Sequence, residues 1–243
     1  MTAVTSTTSN SNSYESTLRQ GASALGLSLS DTQIAQLLGY HALIQKWNKV
    51  YNLTSIRDPA LMLTHHLLDS LAVVAPLTRQ TAGISFGTVG TVGTAGTAGM
   101  VSMVSMLDVG AGAGLPGVVV AICCPWVSVT CVDAVAKKMA FVRQVATELK
   151  LPNLKALHAR VETLTDKYDV ITSRAFATLL DFVTGSRAAL KPGTGVWLAM
   201  KAKDTSVEVA ALPTDVEAFH VEQLAVPGLN AERCIVWMRG KQG

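Results

Sequence analysis

A glycine-rich segment in the middle of the chain has residue types and spacing suited to binding a nucleotide-like cofactor. The segment reads MLDVGAGAGLPGVVVAI, residues 106 to 122. Gly112, Gly114 and Gly117 match G-x-G-x-x-G, the dinucleotide fingerprint, whereas Gly110, Gly112 and Gly114 match the tighter G-x-G-x-G of many S-adenosylmethionine enzymes. Both patterns need glycine because the backbone must turn sharply out of a strand, approach a ligand closely and enter a helix. The segment alone leaves both cofactors open.

An acidic residue supports an adenosine-type ligand without choosing between the two cofactors. Asp133 lies at the end of the next predicted strand, 21 residues beyond Gly112 (133 − 112). In either cofactor class a carboxylate at this point accepts hydrogen bonds from ribose hydroxyls. A purely structural alternative is that Asp133 caps the N-terminus of the following helix.

Three segments further along favour S-adenosylmethionine. Val161 and Glu162 follow the third predicted strand, where such enzymes commonly contact adenine, and Arg174 follows the fourth strand beside the switch point of the sheet. LKPGTGVWLAM, residues 190 to 200, places a Lys-Pro-Gly turn before strand five, as class I methyltransferases do. Nothing in the sequence resembles the catalytic pair of a hydride-transfer site, since no Tyr-x-x-x-Lys follows a predicted strand and no histidine lies where such a pair would need it. A nicotinamide dehydrogenase is therefore disfavoured.

The elements that must position these residues alternate between strand and helix from residue 106 onward. The predicted strands are Met106–Val109, Val127–Val132, Leu154–His158, Asp169–Thr172, Gly195–Met200, Ala218–Leu224 and Cys234–Met238. The predicted helices between them are Leu115–Cys124, Lys137–Leu149 and Leu179–Leu190. This order predicts an α/β fold, the Rossmann-like doubly wound sheet of class I S-adenosylmethionine-dependent methyltransferases, mostly parallel with an antiparallel C-terminal hairpin strand. Ligands bind such sheets at the carboxyl ends of the strands.

Two helices precede the sheet and predict an N-terminal helical cap. The first, over residues 30–49, begins with a Ser30–Gln33 capping box, and the second begins at Asp58-Pro59. The expected organisation is a disordered Ser/Thr/Asn-rich tail over residues 1–24, the helical cap over 25–80, a low-complexity insertion over 81–105 and the cofactor-binding core over 106–243.

Composition limits the compartment and the kind of site. The net charge is +3 and 49% of the residues are hydrophobic, but every stretch of spanning length is interrupted by charges or glycines. The N-terminus lacks the features of a signal peptide, so we expect a cytoplasmic protein without membrane contact. The four cysteines show no C-x-x-C spacing, and the neighbouring His65 and His66 point about 100° apart on a helix. We therefore expect no metal site.

Several segments together resemble one family. They are WNKVYNLTSIRDPALMLTHHLLDSL, LDVGAGAGLPGVVVA, VDAVAKKMAFVRQV, RVE, YDVITSRAFATL and LKPG. In combination they are similar to the bacterial glucose-inhibited division protein B family, the N7-guanine methyltransferases of 16S ribosomal RNA. The resemblance extends over about residues 30–203, except for the insertion, and the W-N-x-x-Y-N-L-T and H-x-L-D-S-L blocks are its most specific parts.

The resemblance implies a set of cofactor contacts. It places S-adenosylmethionine against Gly110, Leu115, Val161, Glu162 and Arg174. To these we add Gly112, Gly114 and Asp133 on the turn and ribose arguments above. The resemblance also implies that His66 and Asp69, with Asn52 nearby, shape the face over the cofactor pocket, although helix packing would equally explain these three residues.

The implied reaction needs no general base, since guanine N7 carries a free lone pair. Positioning should then dominate the rate, so we assign no catalytic residue and favour Arg174 for positioning. Cations near the strand ends are candidates for contact with 16S ribosomal RNA or the small ribosomal subunit. They are Lys137, Lys138, Arg143, Arg174, Lys201 and Lys203. For each lysine an ordinary solvated charge is the alternative, and we expect the protein to be a monomer.

Three other functions stay open from sequence alone. The first is a class I methyltransferase acting on another RNA, a protein or a small molecule, which would not need the N-terminal blocks. The second is the disfavoured dehydrogenase. The third is a S-adenosylmethionine-binding or ribosome-assembly factor that keeps the fold without catalysis.

Overall fold

A computed structural model describes residues 5–82, 103–174, 176, 178–202 and 204–241, together with the side chains from residue 12 onward. Most of the expected insertion and Lys203 lie outside the described residues.

One mixed sheet forms the centre of the described structure. Its strands are β1 (Val104–Val109), β2 (Val127–Asp133), β3 (Leu154–His158), β4 (Val170–Ser173), β5 (Val196–Lys201), β6 (Val216–Leu224) and β7 (Arg233–Gly240). Their order in the sheet is β3-β2-β1-β4-β5-β7-β6. The first five strands pair in parallel, and β7 pairs antiparallel with both β5 and β6. The predicted fold class, including the antiparallel C-terminal hairpin, is confirmed.

The helices of the sheet region follow the strands in the expected order. Numbered after the five helices of the N-terminal region, they are α6 (Gly117–Cys123), α7 (Ala136–Glu148), α8 (Leu179–Ser186) and the short α9 (Ser206–Ala210). There are also 3₁₀ turns at Val161–Thr163 and Arg187–Ala189. The predicted helices and strands agree with these bounds to within a few residues. The short helix α9 is an addition that the sequence did not indicate, because its five residues are too few to show a helical period.

Apolar side chains on both faces of the sheet are buried, as parallel strands require. Met106 and Val129 belong to the core on the face covered by α6 and α7. Leu107 and Trp197 belong to a second core on the opposite face, together with Phe182 of α8. The carboxyl ends of β1 and β4 lie side by side at the centre of the sheet, and this is the switch point where ligands bind in such folds.

The N-terminal region packs against the sheet as a helical cap. Its elements are α1 (Thr5–Ala24), α2 (Asp31–Tyr51), α3 (Pro59–Met62), a π-helical turn (Leu63–Leu68), α4 (Asp69–Leu71) and α5 (Val74–Thr81). The predicted capping box of Ser30 and Gln33 and the Asp58 N-cap are both present. Gln33 also donates to the carbonyl oxygens of Ile122 and Cys123, at 3.1 and 3.2 Å, which ties α2 to α6.

The expected boundaries differ from the structure in two places. The disordered tail over residues 1–24 is wrong for Thr5–Ala24, which forms α1, and Leu18 of that helix is fully buried. The expected insertion over 81–105 overlaps ordered elements at its ends, since α5 extends to Thr81 and β1 begins at Val104. Both errors have one cause: local composition carries no information about contacts made with distant residues.

The stretch Pro59–Thr81 is long and apolar enough to span a membrane by composition alone. Within the structure, 72% of its most apolar window is buried inside the protein. Its apolar side chains are thus used in packing the cap.

Candidate functional site

The loop between β1 and α6 takes its shape from three glycines. Gly110, Gly112 and Gly114 have φ values of 66°, 60° and 91°, in the left-handed region that other residues rarely adopt. The amide groups of Gly110 and Ala111 both donate to the carbonyl oxygen of Val132, at 2.9 and 3.1 Å, so the loop is fastened to the end of β2. The G-x-G-x-G spacing is therefore the one that shapes the turn.

Gly117 serves packing and not the turn. It lies at the start of α6 without a positive φ, and a Cβ atom there would lie 2.6 Å from Cys131 Sγ and 2.7 Å from Asp108 Oδ2. Its amide donates to that same carboxylate oxygen at 2.8 Å. The match to G-x-G-x-x-G is incidental, because its third glycine is required by the contact between α6 and the sheet.

Asp133 supports the glycine loop from the end of β2. Its Oδ2 accepts from the amide of Gly112 at 3.0 Å and from Lys138 Nζ at 3.4 Å, and its Oδ1 accepts from the amide of Val135 at 2.9 Å. The side chain therefore shapes the turn before α7. This role resembles the helix-capping alternative, although the N-cap residue of α7 is Val135 and not Asp133. Asp133 also lines a cavity, and a carboxylate has more acceptor positions than these three donors use.

Two cavities meet at Gly110. The first, of about 220 Å³, is lined by Asp133, Val161 and Glu162 with Phe176. The second, of about 360 Å³, is lined by the glycine loop with Leu115, by residues 53–56 of the cap, and by His66, Lys138 and Arg174. All eight residues predicted to bind the cofactor lie on these two cavities or on the loop between them.

The linings of the two cavities differ in character. The first has the carboxylates of Asp133 and Glu162 as acceptors for hydroxyl groups, and the second has backbone of the glycine loop with the cations Lys138 and Arg174. Gly112 has open space above it, since the nearest atom to a Cβ built there is Gly110 O at 3.9 Å. The backbone thus leaves room for close approach of a ligand, which is what glycine in such a loop provides.

Arg174 lines both the second cavity, called the cofactor cavity from here on, and a larger cavity beside it. Its Nη1 donates to the carbonyl oxygen of His65 and to Asp69 Oδ2, both at 3.0 Å. The other oxygen of Asp69 accepts from Arg233 Nε at 2.9 Å. The carboxylate of Asp69 is 3% exposed, and the two arginine side chains are 25% and 20% exposed. One buried carboxylate therefore holds two guanidinium groups, and Asp204 and Glu208 line the same cavity.

The π-helical turn Leu63–Leu68 provides one of these contacts. The amide of Asp69 donates to the carbonyl oxygens of His66 and Thr64, while the carbonyl oxygen of His65 accepts from Arg174. A wide turn of this type often occurs at a functional site. Here it directs a backbone acceptor from the cap toward a cation on the sheet.

His66 belongs to a hydrogen-bonded chain that begins in α2. Its Nε2 lies 2.8 Å from Thr54 Oγ1, and the amide of Thr54 donates to Asn48 Oδ1 at 2.9 Å. Burial, with a smaller contribution from Arg174, lowers the pKa of His66 to about 4, so the ring is neutral near pH 7. Its buried Nδ1 has no hydrogen-bond partner among the described residues. Asn52, the left-handed residue that ends α2, accepts from Arg57 and is exposed.

The larger cavity has a volume of about 500 Å³. It shares Ile56, His66 and Arg174 with the cofactor cavity, and it shares Phe176 with the first cavity. Its other walls include Met200, Lys201 and Arg233. Lys201 is 13% exposed and pairs with Glu208 Oε2 at 2.8 Å. The cavity thus adjoins the one lined by the glycine loop.

The predicted RNA-contacting cations do not all gather at this site. Lys137 and Lys138 begin α7 near the cofactor loop, and Lys201 lines the larger cavity. Arg143 instead lines a separate groove with Ser105 and Ser128, which lie at the amino-terminal ends of β1 and β2. The structure therefore does not bring Arg143 to the site. In the part of the chain described here, no group of three or more His, Cys, Asp and Glu side chains is arranged to hold a metal ion.

Sequence reasoning missed Arg233 and Phe176. Arg233 begins β7 in the segment RCIVWM, where a single cation before an apolar strand is a common solvated pattern. Phe176 belongs to the segment SRAF, two residues after Arg174. Its position just after β4 was the feature of the sequence that could have indicated it.

The chain is similar to known proteins over most of its length. A family model described as rRNA small subunit methyltransferase G matches residues 33–236. A protein named ribosomal RNA small subunit methyltransferase G from Albidiferax ferrireducens is 64% identical over 225 residues, covering 93% of this chain and 96% of its own. A protein of the same name from an Acidovorax species is 59% identical over 227 residues, with the same coverage of 93% and 96%.

Among solved structures, the chain is similar to TrmN from Thermus thermophilus, with a TM-score of 0.51 and 16% sequence identity. The match covers 74% of this chain and 53% of that one. At this identity the likeness supports the fold alone.

Proposed function

The chain belongs to the GidB family, the rRNA small subunit methyltransferases G, and we propose that it transfers the methyl group of S-adenosylmethionine to N7 of a guanine in 16S ribosomal RNA. The observation that carries the proposal is the pair of cavities around Gly110, of which the second shares Arg174 as a wall with a third cavity of about 500 Å³. We further propose that the protein acts as a monomer in the cytoplasm.

The residues present suit a reaction governed by positioning. S-adenosylmethionine, when bound, supplies an electrophilic methyl group, which guanine N7 accepts with its free lone pair and without loss of a proton. The side chains therefore need to bind, orient and exclude water, and alignment of reacting groups can provide most of the acceleration. No general base is assigned, and the neutral ring of His66 is engaged with Thr54.

Each proposed contact follows from where the residue lies. Asp133 accepts from the ribose, and Val161 and Glu162 border the adenine. Gly110, Gly112, Gly114 and Leu115 form the wall next to the amino-acid end. Arg174 is the positioning residue, because the contacts of its Nη1 with His65 and Asp69 fix the guanidinium between cofactor and substrate cavities.

Cations around the cofactor loop are available to contact RNA. Arg174 and Arg233 share the single carboxylate of Asp69, and Lys137 and Lys138 begin α7 beside the loop. Phosphate groups of RNA would pair with such side chains. The alternative is a class I methyltransferase with another RNA, a protein or a small molecule as its substrate.

Two measurements test the proposal. Calorimetric titration should show binding of S-adenosylmethionine and none of NAD. Transfer of a radiolabelled methyl group should then be measured with 30S subunits and with naked 16S rRNA from cells lacking the modification, followed by digestion and detection of 7-methylguanosine. Label in protein, or in another nucleoside, would favour the alternative substrate classes. Binding without any transfer to these or to other substrates would favour a non-catalytic factor.

A further inference from the structure

The C-terminal end of α2 carries positive charge without acidic partners. Residues 32–57 contain no Asp or Glu, and Lys46 and Lys49 are exposed. Among the described residues neither lysine forms an ion pair. Arg57 follows the helix and donates to Asn52 Oδ1 at 2.7 Å and to the carbonyl oxygen of Asn48 at 3.4 Å, so its charge is oriented but not neutralised.

Exposed apolar side chains lie at the same end of α2. Val50 is 70% exposed and shares a face of the helix with the two lysines, and Tyr51 is 40% exposed. At about 100° per residue, Tyr51 lies about 140° around the helix from Lys46 and about 160° from Lys49, so its ring is on a different face. The ring is supported from within the protein, because its centroid is 5.0 Å from that of Trp47, which in turn packs against Phe141 of α7 at 5.4 Å. A fixed and partly exposed aromatic ring is a surface on which unpaired bases stack, and a strand that passes around the end of α2 would meet both the lysines and the ring.

This surface continues directly into the cofactor site. The chain leaves α2 at Tyr51, and residues 53–56 line the cofactor cavity. Lys138 lines the same cavity, and the exposed Lys137 precedes it in the first turn of α7. Cations thus lie on both segments next to the cavity, which are α2 with the loop after it and the first turn of α7.

We propose that the end of α2, with Lys46, Lys49, Tyr51 and Arg57, is a docking surface for the rRNA strand that carries the target guanine. The inference rests on the proposed function. Cations at a helix C-terminus also interact favourably with the helix dipole, but that effect explains neither the exposed Tyr51 and Val50 nor Arg57, which lies outside the helix.

The test is rRNA binding by the double variant Lys46→Glu/Lys49→Glu, measured by filter binding across a range of salt concentrations. If each lysine contacts one phosphate, the slope of log affinity against log salt should become shallower by about two units. A second variant, Tyr51→Ala, should weaken binding by about tenfold, because it removes one stacked base. The Kd for S-adenosylmethionine should stay at the unmodified protein's value in both variants.

A matched control is the variant Lys150→Glu/Lys155→Glu. It makes the same change of charge at two exposed lysines, one after the end of α7 and one in β3, and neither lysine forms an ion pair within the described structure. Its rRNA affinity and salt slope should match those of the unmodified protein.

Binding tests the docking surface, and methyl transfer by the unmodified protein tests the proposed function. Wild-type rRNA affinity and salt slope in the α2 variants would overturn the surface even while methylation proceeds. The surface would also be overturned if the variants lost affinity for intact 30S subunits but not for naked rRNA, since the contact would then be a ribosomal protein. A lack of methyl transfer to any rRNA would count against the function itself.

Discussion

Replacing Tyr40 with Phe should weaken cofactor binding, although Tyr40 belongs to the helical cap. Tyr40 lies in α2 and is fully buried, and its hydroxyl donates to the carbonyl oxygen of Ala113 at 2.7 Å. Ala113 stands between Gly112 and Gly114 in the cofactor loop. Burial raises the pKa of Tyr40 well above its usual value, so the hydroxyl keeps its proton. Phenylalanine keeps the ring, which stacks against Phe141, and removes only this donor.

The expected magnitude follows from the loss of one buried hydrogen bond. A buried acceptor left without its donor costs about 1–3 kcal/mol, and for a chain of this length each kcal/mol lowers the Tm by about 2–4 °C. The same bond holds the loop in the conformation that the cofactor contacts. If about 1 kcal/mol of that restraint is lost, the Kd for S-adenosylmethionine should rise about fivefold.

The assay is calorimetric titration of S-adenosylmethionine at a temperature well below the Tm, with thermal unfolding measured in parallel. Ser186→Ala is the control. It removes two buried bonds, since Ser186 Oγ accepts from Trp197 Nε1 at 2.9 Å and donates to the carbonyl oxygen of Phe182 at 2.6 Å, and Ser186 lines none of the three cavities. The control should lose stability but keep its cofactor affinity. If the Tyr40→Phe protein has a lower Tm and an unchanged Kd, Tyr40 only stabilises the fold and the reasoning is wrong.

Three further predictions concern the site. Arg174→Ala should abolish methyl transfer with little change in the circular dichroism spectrum, and near wild-type activity would remove Arg174 from the site. Gly117→Ala should lower the free energy of unfolding by about 1–3 kcal/mol, because its Cβ would lie 2.6 Å from Cys131 Sγ; a normal urea midpoint would contradict this. His66 has a pKa of about 4 in the folded protein. As the pH falls below about 6.5, this side chain therefore binds a proton in the unfolded state but not in the folded state. The contribution of His66 to stability should therefore fall by up to about 3 kcal/mol between pH 6.5 and pH 4. The unmodified protein should then lose more stability, or gain less, than His66→Gln in urea titrations over that range; equal changes would refute the reasoning.

The sheet could be predicted from sequence because its signals are local. Apolar runs bounded by turn residues identify strands, and the order of strands and helices then restricts the topology. The start of α2 was equally predictable, since the Ser30–Gln33 capping box lies within four residues. The glycine turn followed from the spacing of its residues, and the φ values of Gly110, Gly112 and Gly114 agree with it.

Features that depend on distant contacts could not be predicted in the same way. Helix α1 has a polar composition, but Leu18 is fully buried, and a Cβ atom built on Gly21 would lie 2.5 Å from Leu68 in the π-helical turn. Its packing therefore depends on residues far along the chain. The pairing of Arg233 with Asp69 joins residues 164 positions apart, and no local pattern indicates it.

The division of the chain into a cap and a cofactor-binding core does not correspond to a division of the site. The W-N-x-x-Y-N-L-T block contributes Asn48, which bonds to the backbone of Thr54 and Ile56 in the wall of the cofactor cavity, and Thr54, whose hydroxyl contacts His66. The H-x-L-D-S-L block contributes Asp69, which holds Arg174 of the sheet. The two sequence blocks that are most specific to the family are thus the parts of the cap that complete the cavity. A core expressed without its cap would lack one wall of the cofactor site and both acceptors of Arg174 Nη1, so the site requires the cap as much as the glycine loop.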